Sequence, residues 1–301
     1  MNFVALLLGL GIERLATRFF HLREFHWLYP LADRLSAALQ PKTKSITLIG
    51  VVGFVVLAVL PVALISWLLS GTLFHIPYFL FSVFVLLFSL GPRDLATEVQ
   101  DYCKAVRDDK QDDVLAAIRE LRETEPPEDA DAQIETVRRA IFVQANNRIF
   151  GVIFWFLILG PTGAWLFRVV DLIRRRLARE YLLSDKQSAP TPYVLVVRTM
   201  HGVLAWPSAH LLMFGYAMAG SFDGGLTAWR TYATQRATKF FIATNDMLDR
   251  VGNGAVTESP VAEGVPVAEV RVGEAMSLVS RTLWLVWAPV IALLTLSNWL
   301  S

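Results

Sequence analysis

Three arginines, Arg148, Arg168 and Arg174, stand in or beside one apolar run. Cations at membrane depth are costly unless they are paired or bind something. The same stretch, 138–179, also carries Asn146, Asn147 and Asp171, and is broken in its middle by Gly160, Pro161, Thr162 and Gly163. Guanidinium groups that converge on one place fork onto carboxylate or phosphate oxygens. A half-helix starting near Gly163 would add backbone N–H groups for an anion. A later apolar run contributes His201, Ser208 and His210, and Arg281 lies in the last one. The chemistry suggested is anion recognition without bond making. A plainer reading stands beside it: Arg168 and Asp171 are three apart, share a helix face and can pair with each other.

Other chemistries lack their residues. The chain has no Gly-Lys dipeptide, so a phosphate loop of the GxxxxGK[ST] type is impossible. GxSxG, HExxH and CxxC are also absent, and the five histidines are scattered. Two acidic groups, Asp108, Asp109, Asp112, Asp113 and Glu123, Glu125, Glu128, Asp129, Asp131, could hold a divalent ion or simply face water. The expectation is no metal, no cofactor and no catalytic residue. Cys103 is the single cysteine and makes no internal disulfide.

The elements that must position these groups are membrane helices. The 301 residues are 54% hydrophobic, with mean hydropathy +0.45 and net charge +1, which fits a polytopic membrane protein and gives no field for nucleic acid. Ile46–Leu69 is uncharged and long enough to span, with a kink expected at Pro61. Ile76–Leu90 returns across the membrane after a short turn at Ser70–Gly71, and Gly91–Pro92 ends it. Asn2–Ile12 is too short for a full span and lacks the pattern of a cleaved leader, so it reads as retained, either a partial span or a core helix packed on other helices. Glu13–Gln40 reads as an amphipathic region suited either to the membrane surface or to the protein's own helices.

Between the spans lies a polar layer. Asp94–Asp108 and Asp112–Glu123 carry apolar residues at helical spacing, Pro126–Pro127 breaks the pattern, and a third helix starts near Ala130. After the loop Ser184–Pro192, Val194–Gly220 contains an apolar helix and Ser221–Gly225 a turn. Leu226–Val251 reads as one amphipathic helix, Gly252–Gly273 as irregular, and Ala275–Leu300 as the last span, ending at an interfacial Trp299. Lys and Arg number six in 13–45, none in 70–78, nine in 91–148 and six in 172–203. The positive-inside rule therefore puts 13–45, 91–148 and 172–203 in the cytoplasm. A single crossing by 149–171 would put Arg174–Arg176 outside. A re-entrant hairpin at Gly160–Gly163 keeps both flanks inside and is preferred.

Three stretches carry a family resemblance: RAIFVQANNRIFG (139–151), GPTGAWLFRVVD (160–171) and WPSAHL (206–211). They resemble the Glu-Asn-x-x-Asp-Gly, Gly-Pro-x-Gly-Ala and Pro-Ala-Arg-Leu elements of the CobD/CbiB superfamily of integral-membrane proteins. The run FWFLILGPTGAWLFRVV is similar, within it, to the AmpE family. The superfamily's adenosylcobinamide-phosphate synthases form an amide bond with ATP and Mg²⁺. Their carboxylate positions read Asn146, Phe150 and Arg174 here, and magnesium–nucleotide chemistry needs carboxylates. The resemblance therefore implies AmpE: a regulatory protein of β-lactamase induction and the AmpD cell-wall recycling pathway, in the bacterial inner membrane, leaning away from catalysis.

The expected fold is all-α: a polytopic integral membrane helical protein with re-entrant and interfacial helices and a small cytoplasmic helical layer. It is expected to form one CobD/CbiB-like domain over 1–301, with 92–147 as the inserted layer. The expected ligand contacts are Asn146, Asn147, Arg148, Gly160, Thr162, Gly163, Arg168, Asp171, Arg174 and His210. Expected partners are the lipid bilayer and an anionic small molecule, a nucleotide or muropeptide-like species. No nucleic acid is expected, and a homodimer is left open. A membrane amide synthase and a small-solute transporter are the competing functions.

Overall fold

The computed structural model describes residues 28–39, 43–70, 76–90, 95–122, 126–183, 191–234 and 240–293. The expected partial span or core helix at 2–12, most of the amphipathic region after it, Gly71 of the turn at 70–71, most of the 184–192 loop and Trp299 lie outside the described residues. Every regular element among the described residues is a helix. Three helical runs are long and apolar enough to cross a membrane: Lys44–Ser70, Ala130–Glu180 and Val267–Leu293; Ile76–Ser89 is apolar but shorter. The protein is thus a multi-pass helical membrane protein with the bilayer as its solvent.

The described residues divide into two compact units, one within 28–90 and 151–204, the other within 95–150 and 205–293. In the first unit lie α1 (Leu28–Leu39), α2 (Lys44–Ser70), α3 (Ile76–Ser89), α7 (Gly151–Leu183) and the first part of α8 (Pro192–Ala219). Val51, Val55 and Val59 recur every four residues on α2, forming the stripe that a helix needs to pack. They are buried with Val85 of α3, Trp165, Val169 and Ile173 of α7, and Val196 and Val197 of α8. The opposite face of α2 leaves Ile49, Leu57, Trp67 and Leu68 exposed, which suits hydrocarbon rather than water.

The second unit holds α4 (Leu95–Arg107), α5 (Gln111–Arg122), α6 (Ala130–Ala145), a π-helical turn at Asn146–Phe150, the rest of α8, α9 (Phe222–Thr234), α10 (Phe240–Ala255) and α11 (Val267–Arg281). A second π-helical turn, Thr282–Trp287, extends α11. Asp129 caps α6, its carboxylate accepting from the Ala132 N–H at 2.9 Å, which fixes the start expected near Ala130. Val99, Tyr102, Ile118, Leu121, Ile141 and Val272 fill the core.

Two expectations change here. The stretch 226–251 is not one helix but parts of two, α9 and α10, and α9 starts at Phe222, where a turn was expected. Backbone contact explains the pairing: a Cβ on Gly224 would lie 2.1 Å from the Gly254 carbonyl, so only glycine lets the two helices come this close. The last helix also starts eight residues early, at Val267. α8 is 28 residues long but is not among the three span-grade helices.

Candidate functional site

The break in α7 is a fold-back. Gly160 has φ 64° and ψ −151°, a region essentially reserved for glycine. Pro161 follows, with no N–H to satisfy, and fits the first position of a new helical arm. Residues eight apart in an unbroken helix are about 12 Å apart along its axis. A Cβ on Gly163 would instead sit 2.2 Å from the Trp155 carbonyl oxygen. The arms 151–159 and 161–183 therefore turn sharply toward each other at Gly160.

Two indoles fasten this hairpin. Trp165 Nε1 donates to the Ala58 carbonyl of α2 at 3.0 Å, and Trp155 Nε1 to the Leu204 carbonyl of α8 at 2.9 Å. Each acceptor lies three residues before a helix proline, Pro61 or Pro207. A proline opens the preceding helical turn and loosens its carbonyls. The tryptophans supply donors at those turns. Because Ala58 sits midway along α2, the fold-back lies at mid-length of that span.

From this point the second arm runs down to a charged centre. Asp171 is fully buried. Its Oδ1 accepts from Arg174 Nη2 at 2.8 Å and Nε at 3.1 Å, with His201 Nε2 at 3.5 Å. Its Oδ2 accepts from Arg175 Nε at 2.7 Å and Arg168 Nη1 at 3.3 Å. Positions i−3, i+3 and i+4 put all three arginines on one helical face with the carboxylate. His201 arrives from α8 and stacks on Phe167, ring centroids 5.6 Å apart. Arg168 and His201 are buried, whereas Arg174 and Arg175 keep 17% and 21% of their side chains exposed, so the centre has a buried floor and an accessible rim. Arg176 turns away to Asp33 of α1, its Nε and Nη2 donating at 3.1 and 3.0 Å.

The expected site residues fall into both units. Gly160, Thr162, Gly163, Arg168, Asp171 and Arg174 belong to the first; Asn146, Asn147, Arg148 and His210 belong to the second. Within the first, Arg168, Asp171 and Arg174 do come together, and the pairing of Arg168 with Asp171 exists. Arg175 and His201 join them and were absent from the expected set. Arg175 was readable, being four residues from Asp171. His201 stood out only as a polar residue in an apolar helix.

In the second unit Arg148 Nη1 meets Glu98 Oε1 at 2.7 Å, both buried. Asn146 Nδ2 donates to the Ala205 carbonyl at 3.3 Å, which Ser208 Oγ also reaches at 3.0 Å. Asn147 is buried, and His210 Nδ1 lies 2.8 Å from the Trp206 carbonyl of its own helix. Nothing in the sequence pointed to Glu98, which lies fifty residues from its partner.

A protein-family model described as "Regulatory signalling modulator protein AmpE" matches residues 1–300. The chain belongs to the AmpE family. It is also similar to a curated "Cobalamin biosynthesis protein CobD" of Chromobacterium violaceum, 23% identical over 222 residues and covering 68% of each chain. No solved structure matches. The magnesium and nucleotide that the synthase resemblance implies do not fit the side chains of this AmpE member. Asn146 carries no charge and donates to the Ala205 carbonyl, Phe150 packs its ring 5.2 Å from Trp287, and Arg174 is engaged with Asp171. Among the described residues no three His, Cys, Asp or Glu side chains gather as a metal site.

Proposed function

We propose that this AmpE-family protein is a regulator of the bacterial inner membrane that responds to an anionic ligand at the Asp171 centre and performs no amide synthesis. The observation that supports this is the convergence of Arg168, Arg174, Arg175 and His201 on the two oxygens of one buried carboxylate. Such an arrangement is already shaped for a carboxylate or phosphate, with Asp171 occupying the place an external anion would compete for. A ligand that draws Arg174 and Arg175 off Asp171 changes the foot of a hairpin fastened at mid-span. That gives two arrangements for a regulator to switch between.

The ligand contacts proposed are Arg168, Asp171, Arg174, Arg175 and His201, with Gly160, Thr162 and Gly163 setting the fold-back above them. Arg148, neutralised by Glu98, and His210, bonded to its own helix, are left outside the contacts, as are Asn146 and Asn147. The family description supports placing the protein in signalling, here in β-lactamase induction through the AmpD recycling pathway. The anion is a nucleotide or a muropeptide-like species.

Purified protein in nanodiscs tests this. Uridine nucleotides and anhydromuropeptides should raise the unfolding temperature without being consumed, and Arg168→Ala and Arg174→Ala should abolish the rise. The CobD likeness supports one rival reading, a membrane amide synthase. ATP consumption coupled to amide formation would replace the proposal with that reading.

A further inference from the structure

The geometry points to a protein-docking site on the second unit, built for a basic partner segment with one bulky aliphatic anchor. It is built from residues of the second unit alone and does not depend on the ligand proposed for the first. A cavity of about 150 Å³ opens among α4, α5, α6 and α11. Its floor is apolar, made by Tyr102, Ala105, Val114 and Ile134. The space exists because small side chains stand where the helices meet: Ala105 on α4, Ala130 at the first position of α6 and Ala268 on α11. Volumes of this size accept a benzene-sized group, so a leucine or isoleucine side chain fits.

Acidic residues adjoin the lining in the chain at both Asp109 and Ala130. Asp109 lines the cavity in the left-handed turn after α4, with φ 53°, and Asp112 and Asp113 follow on the first turn of α5. Glu128, Asp129 and Asp131, all exposed, neighbour Ala130 in the chain. Lys110 also stands in the lining beside Asp109, 3.9 Å from Asp108, and Arg107 is paired with Glu269. The bias extends beyond the mouth, because segment 93–150 holds fourteen acidic residues against nine basic. An apolar anchor in a socket surrounded by charges complementary to the partner is how short helical segments dock in a groove. The steering charge sets specificity and on-rate.

Fluorescein-labelled helical peptides, lysine-rich with a single central leucine, provide the probe. Their binding to the full-length protein in nanodiscs is followed by anisotropy. The leucine peptide should bind at least tenfold more tightly than its Leu→Ala or Lys→Glu versions, and raising salt from 50 to 300 mM should weaken it severalfold. Ala130→Leu, at an exposed position, fills the mouth without burdening the fold and should weaken binding at least tenfold at unchanged Tm. Ala268→Leu should do the same from the opposite wall. Asp112→Asn with Asp113→Asn should weaken it about fivefold. Equal binding of the Leu→Ala peptide, or undiminished binding to Ala130→Leu, would overturn the assignment. So would a dimer that Ala130→Leu converts to monomer, since the socket would then belong to a second copy of the chain.

Discussion

Trp165 on the second arm of the α7 hairpin donates its indole N–H to the main-chain carbonyl of Ala58, at 3.0 Å, halfway along α2. Trp155 on the first arm does the same to Leu204 of α8, at 2.9 Å. Both bonds are partly buried, and a buried polar group left without its partner costs about 1–3 kcal/mol. Trp155→Phe and Trp165→Phe keep most of the ring volume and remove only the donor. Each should lower stability by about 1–3 kcal/mol in SDS-driven unfolding from micelles. Wild-type midpoints for both variants would mean that the indoles do not fasten the hairpin.

Glycine content decides whether the hairpin closes at all. Gly163 abuts the Trp155 carbonyl, so the methyl of Gly163→Ala meets main chain and cannot be accommodated by a side-chain shift. Gly160→Ala meets backbone strain instead, of about 1–3 kcal/mol. Gly53 on α2 is the control, with nothing within 4 Å of its would-be Cβ. There the substitution should be neutral or raise helix stability by up to about 1 kcal/mol. Thermal unfolding of the three variants should rank Gly163→Ala below Gly160→Ala and both below Gly53→Ala.

These features differ in how far they could be read from the residues. The α2 span and the starts of α4, α5 and α6 were legible, because local periodicity and capping residues such as Asp129 set them. Gly160-Pro161-Thr162-Gly163 announced a break, and the distribution of Lys and Arg favoured folding back over crossing. The Arg168–Asp171 pair followed from spacing on one helix. What arrives from elsewhere in the chain was not legible. His201 reaches Asp171 from α8, and Glu98 reaches Arg148 across fifty residues. The separation of α9 from α10 was hidden because apolar spacing continues through 226–251. The cue lay in Gly224 and Gly254, whose meaning appears only once the two backbones are seen in contact.

Arg148 and Glu98 form a buried ion pair in which each charge depends on the other. Removing one member strands a buried charge, at about 3–5 kcal/mol, whereas replacing both with apolar residues of similar size is often neutral. Arg148→Met and Glu98→Leu should each destabilise the second unit strongly, and the double variant should recover most of the loss. A double-mutant cycle in denaturant reads this directly. Additive losses would show that the two charges are independently solvated and that Arg148 is available for something other than Glu98.

Cys103, outside the spans on α4, offers a titration that reports on the α4–α11 contact. Burial pushes its thiol up to about 11, with the Glu269 carboxylate adding to the rise and Arg107 opposing it. Only the thiolate reacts, so at pH 8 about one thiol in a thousand is competent, and maleimide labelling of folded protein should be slow. Glu269→Gln removes the carboxylate and leaves Arg107 beside the sulfur, so labelling should quicken severalfold; Arg107→Ala should slow it. For stability, the sign follows from the neutral form being the one favoured in the fold. The contribution is complete below the unfolded value near 9 and is lost as pH rises toward 11. Tyr102, raised to about 12 by burial, extends the loss to higher pH. Unfolding midpoints should therefore fall steadily above pH 9, and Cys103→Ser should flatten the part of that fall between 9 and 11. A fall that Cys103→Ser leaves unchanged would place the alkaline sensitivity elsewhere.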